Sequence, residues 1–117
     1  MKGQHVAGTN TVSVVDGLSD DEAACVLAHE ISHAIQHPPS ASYAAPTESE
    51  RQHAERVAHG SASLILHTLG GPDYDAVAIR AAYSDFVPFD RLDSSELREA
   101  RQVADIVVRA VSMYRAG

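Results

Sequence analysis

The sequence predicts an α-rich α+β fold, in which a small β-hairpin or sheet lies beside about four helices. Near the N-terminus, Val12 and Val14 alternate with Ser13, as in a half-buried strand. Further along, the chain repeats a pattern typical of helix starts, a capping residue followed three positions later by glutamate. The three such pairs are Ser19 with Glu22, Thr47 with Glu50, and Asp93 with Glu96. A chain of 117 residues with 44% hydrophobic content suits one modest core, so residues 1–117 are predicted to form a single domain.

Two short extended segments precede the first helix. They span Gln4 to Ala7 and Thr11 to Val15, and Gly8-Thr9-Asn10 between them suits a hairpin loop. These segments are the β part of the predicted fold.

Four helices follow the two predicted strands. The first is predicted over 20–37, where Pro38-Pro39 stop it, and the second over 48–69, where Gly70-Gly71 end it. A shorter third helix covers about 73–84, and the stretch 85–93 is predicted to be irregular or a short extended segment. The fourth helix runs from the Asp93 cap through Tyr114. Its apolar stripe at helical spacing consists of Leu97, Ala100, Val103, Ala104, Val107, Ala110, Val111 and Tyr114.

Charge and composition limit the partners. The formal net charge is −7, from 16 acidic and 9 basic residues, so the chain repels phosphate backbones and direct nucleic-acid binding is not expected. A basic protein partner or substrate suits this charge better. No segment has the roughly 18 apolar residues needed to span a bilayer, so no membrane partner is expected. The single Cys25 excludes an internal disulfide, and the N-terminus has no apolar signal region, so a cytoplasmic protein is expected.

The first predicted helix carries the pattern His-Glu-x-x-His. Residues four apart on a helix are offset by only about 40°, so His29 and His33 lie on one face and can bind one Zn²⁺. Glu30 lies beside them, where a carboxylate acts as a general base for the attacking water rather than as a ligand. The pattern therefore predicts a zinc site with His29 and His33 as ligands.

A third ligand has to come from elsewhere in the chain. His37 is too far, at about 12 Å along the helix from His29, and is interpreted as a polar helix-end residue. If the first two helices form an antiparallel hairpin, His33 and His29 lie about 6 and 12 Å below its end, and Glu55 about 10 Å into the second helix. Ala58 and Ala62 share the face of Glu55 and permit a close approach of the helices. This register selects Glu55; Glu48 and Glu50 are interpreted as exposed residues of the helix start.

The segments "AHEISHAIQH" and "ERVAHGSASLIL" together resemble the ImmA/IrrE-type zincin peptidases. The pattern of that family is His-Glu-x-x-His followed by Glu-x-x-Ala, a further Ala and two aliphatic residues, matched here from Glu55 through Ala58 and Ala62 to Leu66. The C-terminal half is similar to the metallopeptidase domain of ArdC-type antirestriction proteins. The resemblance covers roughly residues 20–115.

The resemblance implies a minimal zincin-like fold and a gluzincin-like peptidase. It implies that His29, His33 and Glu55 are ligands of one Zn²⁺ per chain, held between the first two helices, and that Glu30 is the catalytic acid/base. It also implies that Val12–Val15 pairs with an extended peptide substrate. The expected reaction is hydrolysis of a peptide bond in a protein substrate, such as a basic DNA-binding regulator.

Two alternatives remain open at this stage. The protein can be a catalytically weak or inactive metal-binding interaction module of a regulatory or antirestriction system, or, less favoured, a helical domain without metal. Cys25 is interpreted as a buried apolar side chain. The histidines of the second helix, His53, His59 and His67, are interpreted as surface residues or as supports behind the ligands. An oxyanion could be stabilised by one of four tyrosines, and the sequence does not indicate which: Tyr43, Tyr74, Tyr83 or Tyr114.

Overall fold

The computed structural model describes residues 3–6, 11–14, 18–36, 47–83 and 86–116, and describes no side chains in 3–6, 11–14 or 115–116. Its elements are the strands β1 (Gly3–Val6) and β2 (Thr11–Val14), the helices α1 (Asp20–Gln36), α2 (Glu48–Leu69), α3 (Tyr74–Arg80) and α4 (Ser94–Ala116), and a 3₁₀ turn at Phe89–Arg91. Within the described residues, no helix is both long and apolar enough to cross a lipid bilayer.

The predicted α+β class is wrong, because the body of the protein is all-helical. Apart from Leu18, which directly precedes α1, every described side chain in the two apolar clusters of the core belongs to one of the four helices or to a segment joining them. The strands β1 and β2 form only an antiparallel ribbon, with Gly3 opposite Val14 and Val6 opposite Thr11. An α+β domain needs a sheet face large enough to form a packed layer, and a ribbon of two four-residue strands does not provide one. Ala7 and Val15 lie outside the described residues.

The pairing of α1 with α2 forms the centre of the molecule. Near the C-terminal end of α1, the Gln36 side-chain amide donates to the Ala54 carbonyl at 3.2 Å, close to the start of α2. Near the other end of α1, Cys25 and Ala28 pack in one cluster with Ala62 and Leu66. The two helices are therefore antiparallel, and small side chains at their contact allow a close approach.

Helix α4 packs on a different face of α2. Ile65 of α2 packs against Ala104 and Val107 of α4. At Gly60 the approach is closer still, because a Cβ there would lie 3.2 Å from the Ala100 Cβ and closer to the side chain of Leu92. In the C-terminal part of the predicted stripe on α4, Val111 packs against this cluster, whereas Ala110 and Tyr114 are exposed. A helix of 23 residues is about 35 Å long, and its end extends beyond the described part of the core.

Local capping interactions set most of the helix starts. Thr47 and Glu50 form a reciprocal capping box at α2, with two bonds of 3.1 Å. Asp93 and Glu96 form another at α4, with bonds of 2.8 and 2.9 Å, and the buried Glu96 carboxylate also accepts from Arg56 of α2 at 3.3 Å. Helix α2 has the predicted bounds. Helix α1 ends at Gln36, and His37 lies outside the described residues.

The predicted end of the third helix, near residue 84, is wrong by about four residues. Helix α3 ends at Arg80 because Ala82 adopts a left-handed conformation, with φ of 53°. The Tyr83 amide then donates to the Ala78 carbonyl at 3.1 Å, and the Ala82 amide to the Ile79 carbonyl at 3.2 Å, the two bonds of a Schellman motif. Glycine usually occupies such a position, so an alanine there does not indicate a helix end.

We expect Ala82→Gly to stabilise the protein, because glycine adopts positive φ without the steric cost of a Cβ. The free energy of unfolding should rise by roughly 0.5–1 kcal/mol, part of the gain being cancelled by the greater freedom of glycine in the unfolded chain. Chemical denaturation followed by circular dichroism measures the change.

The matched control is Gly70→Ala at the end of α2, where φ is 76° and a Cβ would have nothing within 4 Å. This change should lower the free energy of unfolding by about 1 kcal/mol through the backbone alone. If Ala82→Gly destabilises the protein while Gly70→Ala is neutral, the left-handed helix ends are assigned wrongly.

Candidate metal centre

The two histidines of the His-Glu-x-x-His pattern lie side by side on α1. The Nε2 atoms of His29 and His33 are 2.9 Å apart, and the ring centroids are 4.7 Å apart. His29 is 1% exposed, whereas the side chain of His33 is 14% exposed. One imidazole therefore lies in the core and the other at its edge, with both Nε2 atoms directed at the same point.

Glu55 of α2 brings a carboxylate to that point. Its Oε1 lies 2.6 Å from the Nε2 of His33, and its Oε2 lies 3.5 Å from the Nε2 of His29. The ligand atoms of the three residues all lie within 4.8 Å of one another. The helix register that selected Glu55 from the sequence is thus the register in the structure, while the role of the three residues as ligands stays a prediction.

Burial and mutual contact set the charge states of this cluster. Burial lowers the pKa of His29 and outweighs the opposing effect of Glu55, so the ring is neutral at neutral pH. Burial alone would raise the pKa of Glu55, but hydrogen bonds with His29 and His33 hold it far below its usual range. A neutral imidazole and an ionised carboxylate are the forms that bind a metal ion.

The donor set fits zinc. Two imidazole nitrogens and one carboxylate oxygen form a common three-residue set for a catalytic zinc ion, which keeps a fourth position open. Atoms bound tetrahedrally at about 2.1 Å lie about 3.4 Å from each other. Here the two Nε2 atoms are 2.9 Å apart, and the Glu55 oxygens lie 2.6 Å (Oε1 to His33) and 3.5 Å (Oε2 to His29) from them, so side-chain shifts would bring one oxygen and both nitrogens to one ion. Calcium and magnesium prefer all-oxygen sets, which makes them poorer candidates.

Glu30 lies next to the cluster along α1 but is not a member of it. Its side chain is buried, at 4% exposure, and its charge acts to raise the pKa of His29. A glutamate one residue after the first histidine points about 100° away from it around the helix. This position is compatible with a base beside the candidate metal centre.

Two further side chains, His59 and Tyr74, complete the surroundings of His29. The Tyr74 hydroxyl lies 3.0 Å from the Nδ1 of His29 and 2.6 Å from the Nδ1 of His59. The Nε2 of His59 is 3.7 Å from the Oε2 of Glu55, and both His59 and Tyr74 are 1% exposed. Burial raises the pKa of Tyr74 well above its usual range, so the hydroxyl keeps its proton.

A sequence signal existed for His59 but not for Tyr74. His59 follows Glu55 by four residues, so the two share a face of α2 by the spacing rule that pairs His29 with His33. Tyr74 contacts His29 across 45 positions of the chain, and only the packing of α3 brings it there. The sequence left its role undecided among four tyrosines.

The other residues weighed from the sequence lie away from the cluster. Glu48 pairs with Arg51 on the surface, and Glu50 caps α2, as the sequence indicated. His53 bonds to Glu99 at 2.9 Å, and His67 is exposed near the end of α2.

The Tyr83 hydroxyl is buried without a hydrogen-bond partner among the described residues, and Tyr114 is 87% exposed. His37 and Tyr43 lie outside the described residues.

Comparisons of the chain with protein-family models, with curated proteins and with solved structures found no match. The assignment of this centre therefore depends on its own geometry and chemistry.

We expect the purified protein to bind about one zinc ion per chain and Glu55→Ala to weaken that binding strongly. Two neutral imidazoles leave the full double charge of the ion in place, and the Glu55 carboxylate both reduces it and completes the ligand set. The loss should be on the order of 100-fold, about 3 kcal/mol, in a competitive titration with a chromophoric chelator.

Glu50→Ala and Glu48→Ala are the matched controls for that titration. Both remove a carboxylate from α2, but from its exposed first turn, so zinc affinity should not change. If Glu55→Ala leaves the zinc affinity unchanged while either control lowers it, the carboxylate ligand is assigned wrongly.

We also expect the Cys25 thiol to be inert in the folded protein. The residue is fully buried, and burial raises its pKa to about 12, so almost none of the reactive thiolate is present at pH 8. A thiol reagent such as dithionitrobenzoate should react with the native protein only on the time scale of unfolding, and at once in denaturant. Rapid labelling of the native protein would contradict the burial of Cys25 in the α1–α2 contact.

Proposed function

We propose that this protein is a zinc metallopeptidase that hydrolyses a peptide bond in a protein substrate. The observation that carries the proposal is the meeting of His29, His33 and Glu55 within 4.8 Å across two facing helices, with Glu30 directly after the first histidine. Imidazole, imidazole and carboxylate leave a zinc ion one open position, which distinguishes a catalytic donor set from a closed structural one.

Each residue has a distinct part in the proposed reaction. When bound, a zinc ion supplies Lewis-acid chemistry, polarising a carbonyl group and making water more acidic. His29, His33 and Glu55 would hold the ion between the two helices, with the imidazole of His29 on the buried side. Glu30 takes the proton from the attacking water and passes it to the amine of the leaving peptide. The same roles are implied by the resemblance to the ImmA/IrrE-type and ArdC-type peptidases.

The charge of the chain supports a basic substrate. With a net charge of −7, the protein attracts positively charged partners over long range and repels nucleic acid. A DNA-binding regulator fits this preference, because such proteins carry basic surfaces. The cytoplasm, where such regulators act, is the proposed location.

A second candidate is a metal-binding interaction module without hydrolytic activity. The burial of Glu30, at 4% exposure, favours it, since a general base has to reach a water molecule beside the substrate. In that case zinc would stabilise a surface for a regulatory partner, and Glu30 would only pack beside the metal.

Glu30→Gln should separate the two candidates. The amide is nearly isosteric and cannot accept the proton, so zinc content should be unchanged while cleavage falls by orders of magnitude. The measurement is the appearance of new peptide N-termini when the zinc-loaded protein is incubated with a proteome-derived peptide library. The control, Glu48→Gln, alters an exposed carboxylate of α2 and should cleave like the wild type.

New termini produced equally by the wild type and Glu30→Gln would remove Glu30 from the mechanism. Full zinc binding with no new termini from any variant would favour the interaction module. Wild-type protein that retains no zinc would refute both candidates.

A further inference from the structure

One hydroxyl group lies between two buried imidazoles behind the metal centre. The Tyr74 oxygen is 3.0 Å from the Nδ1 of His29 and 2.6 Å from the Nδ1 of His59. All three side chains are about 1% exposed, so water cannot readily substitute for these contacts. Each residue comes from a different helix, α1, α2 or α3.

The protons on these atoms can be assigned from the needs of the metal site. A tyrosine hydroxyl has one proton, so it donates to one imidazole and accepts from the other. His29 can bind a metal through Nε2 only if its ring proton is on Nδ1. His29 must then donate to Tyr74, which leaves the hydroxyl proton for the Nδ1 of His59.

The same assignment gives His59 a defined role. A neutral His59 that accepts at Nδ1 carries its own proton on Nε2. That atom lies 3.7 Å from the Oε2 of Glu55, close enough for a favourable interaction between the polar N–H group and the carboxylate. Polar contacts thus run from His29 through Tyr74 and His59 to Glu55, and both ends are candidate ligands.

We propose that Tyr74 and His59 are positioning residues of the metal centre, which hold His29 in the metal-binding tautomer and orient the Glu55 carboxylate. The proposal rests on the metal site of the proposed function, but it does not depend on peptidase activity. Hydrogen-bond partners of metal-bound histidines commonly change metal affinity by 10- to 100-fold. The opposite proton arrangement, with Tyr74 donating to His29, would put a proton on the Nε2 of His29 and block it.

The neighbouring Tyr83 provides a close control. Its ring centroid is 6.1 Å from that of Tyr74, and its hydroxyl is also buried, but that hydroxyl has no hydrogen-bond partner among the described residues. Tyr74→Phe and Tyr83→Phe therefore remove the same atom from adjacent rings in the same core. Only the first removal should affect the metal site.

The experiment is a competitive zinc titration of the full chain. Tyr74→Phe should bind zinc about 10-fold more weakly than the wild type or worse, whereas Tyr83→Phe should stay within about 2-fold. If Tyr74→Phe fails to fold, two substitutions of His59 test the same inference. His59→Asn keeps an acceptor near the position of Nδ1 and should retain most of the affinity, while His59→Leu should lose it to a similar extent as Tyr74→Phe.

A spectroscopic measurement separates positioning from a general loss of packing. In the zinc-loaded wild type, the ring proton on the Nδ1 of His29 should give a downfield NMR resonance typical of a hydrogen-bonded imidazole. Tyr74→Phe should move this resonance upfield, and Tyr83→Phe should leave it in place.

Equal zinc affinities of Tyr74→Phe and Tyr83→Phe, or of His59→Asn and His59→Leu, would overturn the inference while leaving zinc binding itself intact. A wild-type protein that binds no zinc would overturn the proposed function and this inference together. If the Tyr74, Tyr83 and His59 variants all bind zinc like the wild type while Glu30→Gln is inactive, the inference is refuted and the proposed function stands.

Discussion

The close antiparallel contact of α1 and α2 is the constraint on which the rest of the structure depends. Small side chains at this contact, such as Ala28 and Ala62, let the helix backbones approach, and this approach brings the short Glu55 side chain within reach of both His29 and His33. If α2 were shifted along α1 by one helical turn, about 5.4 Å, the Glu55 carboxylate would no longer contact both rings. Substitution of larger side chains would separate the helices and have a similar effect.

Burying so many polar groups in a small core costs free energy, and the contacts within the cluster offset part of that cost. A buried group without a hydrogen-bond partner costs roughly 1–3 kcal/mol. Here the carboxylate of Glu55 contacts the Nε2 atoms of His29 and His33. The Tyr74 hydroxyl contacts the Nδ1 atoms of His29 and His59. Apolar side chains would fill this space at lower cost, so the cluster is better explained by a function than by stability.

What the sequence could predict was local, and what it could not predict depended on tertiary packing. The bounds of α2 follow from Thr47, Glu50 and Gly70, all within a few residues of the helix ends. The position of Glu55 opposite the two histidines followed from a count of helix rise once an antiparallel hairpin was assumed. The fold class was wrong because alternating residues indicate a strand but not whether a sheet forms a layer. The end of α3 was missed because Ala82 has no intrinsic preference for positive φ.

Tyr74 links the candidate metal centre to α3, a helix too short to form by itself. Helix α3 has only seven residues, too few to be stable in isolation, and is held by the burial of Tyr74, Val77 and Ala78 in the same cluster as Cys25 and Ala62. The orientation of His29 therefore depends on the docking of α3. By linkage, an ion that binds only the docked form would stabilise that docking, by an amount that grows with the logarithm of its concentration. Metal binding at the candidate centre and the packing of α3 in the core are therefore expected to stabilise each other.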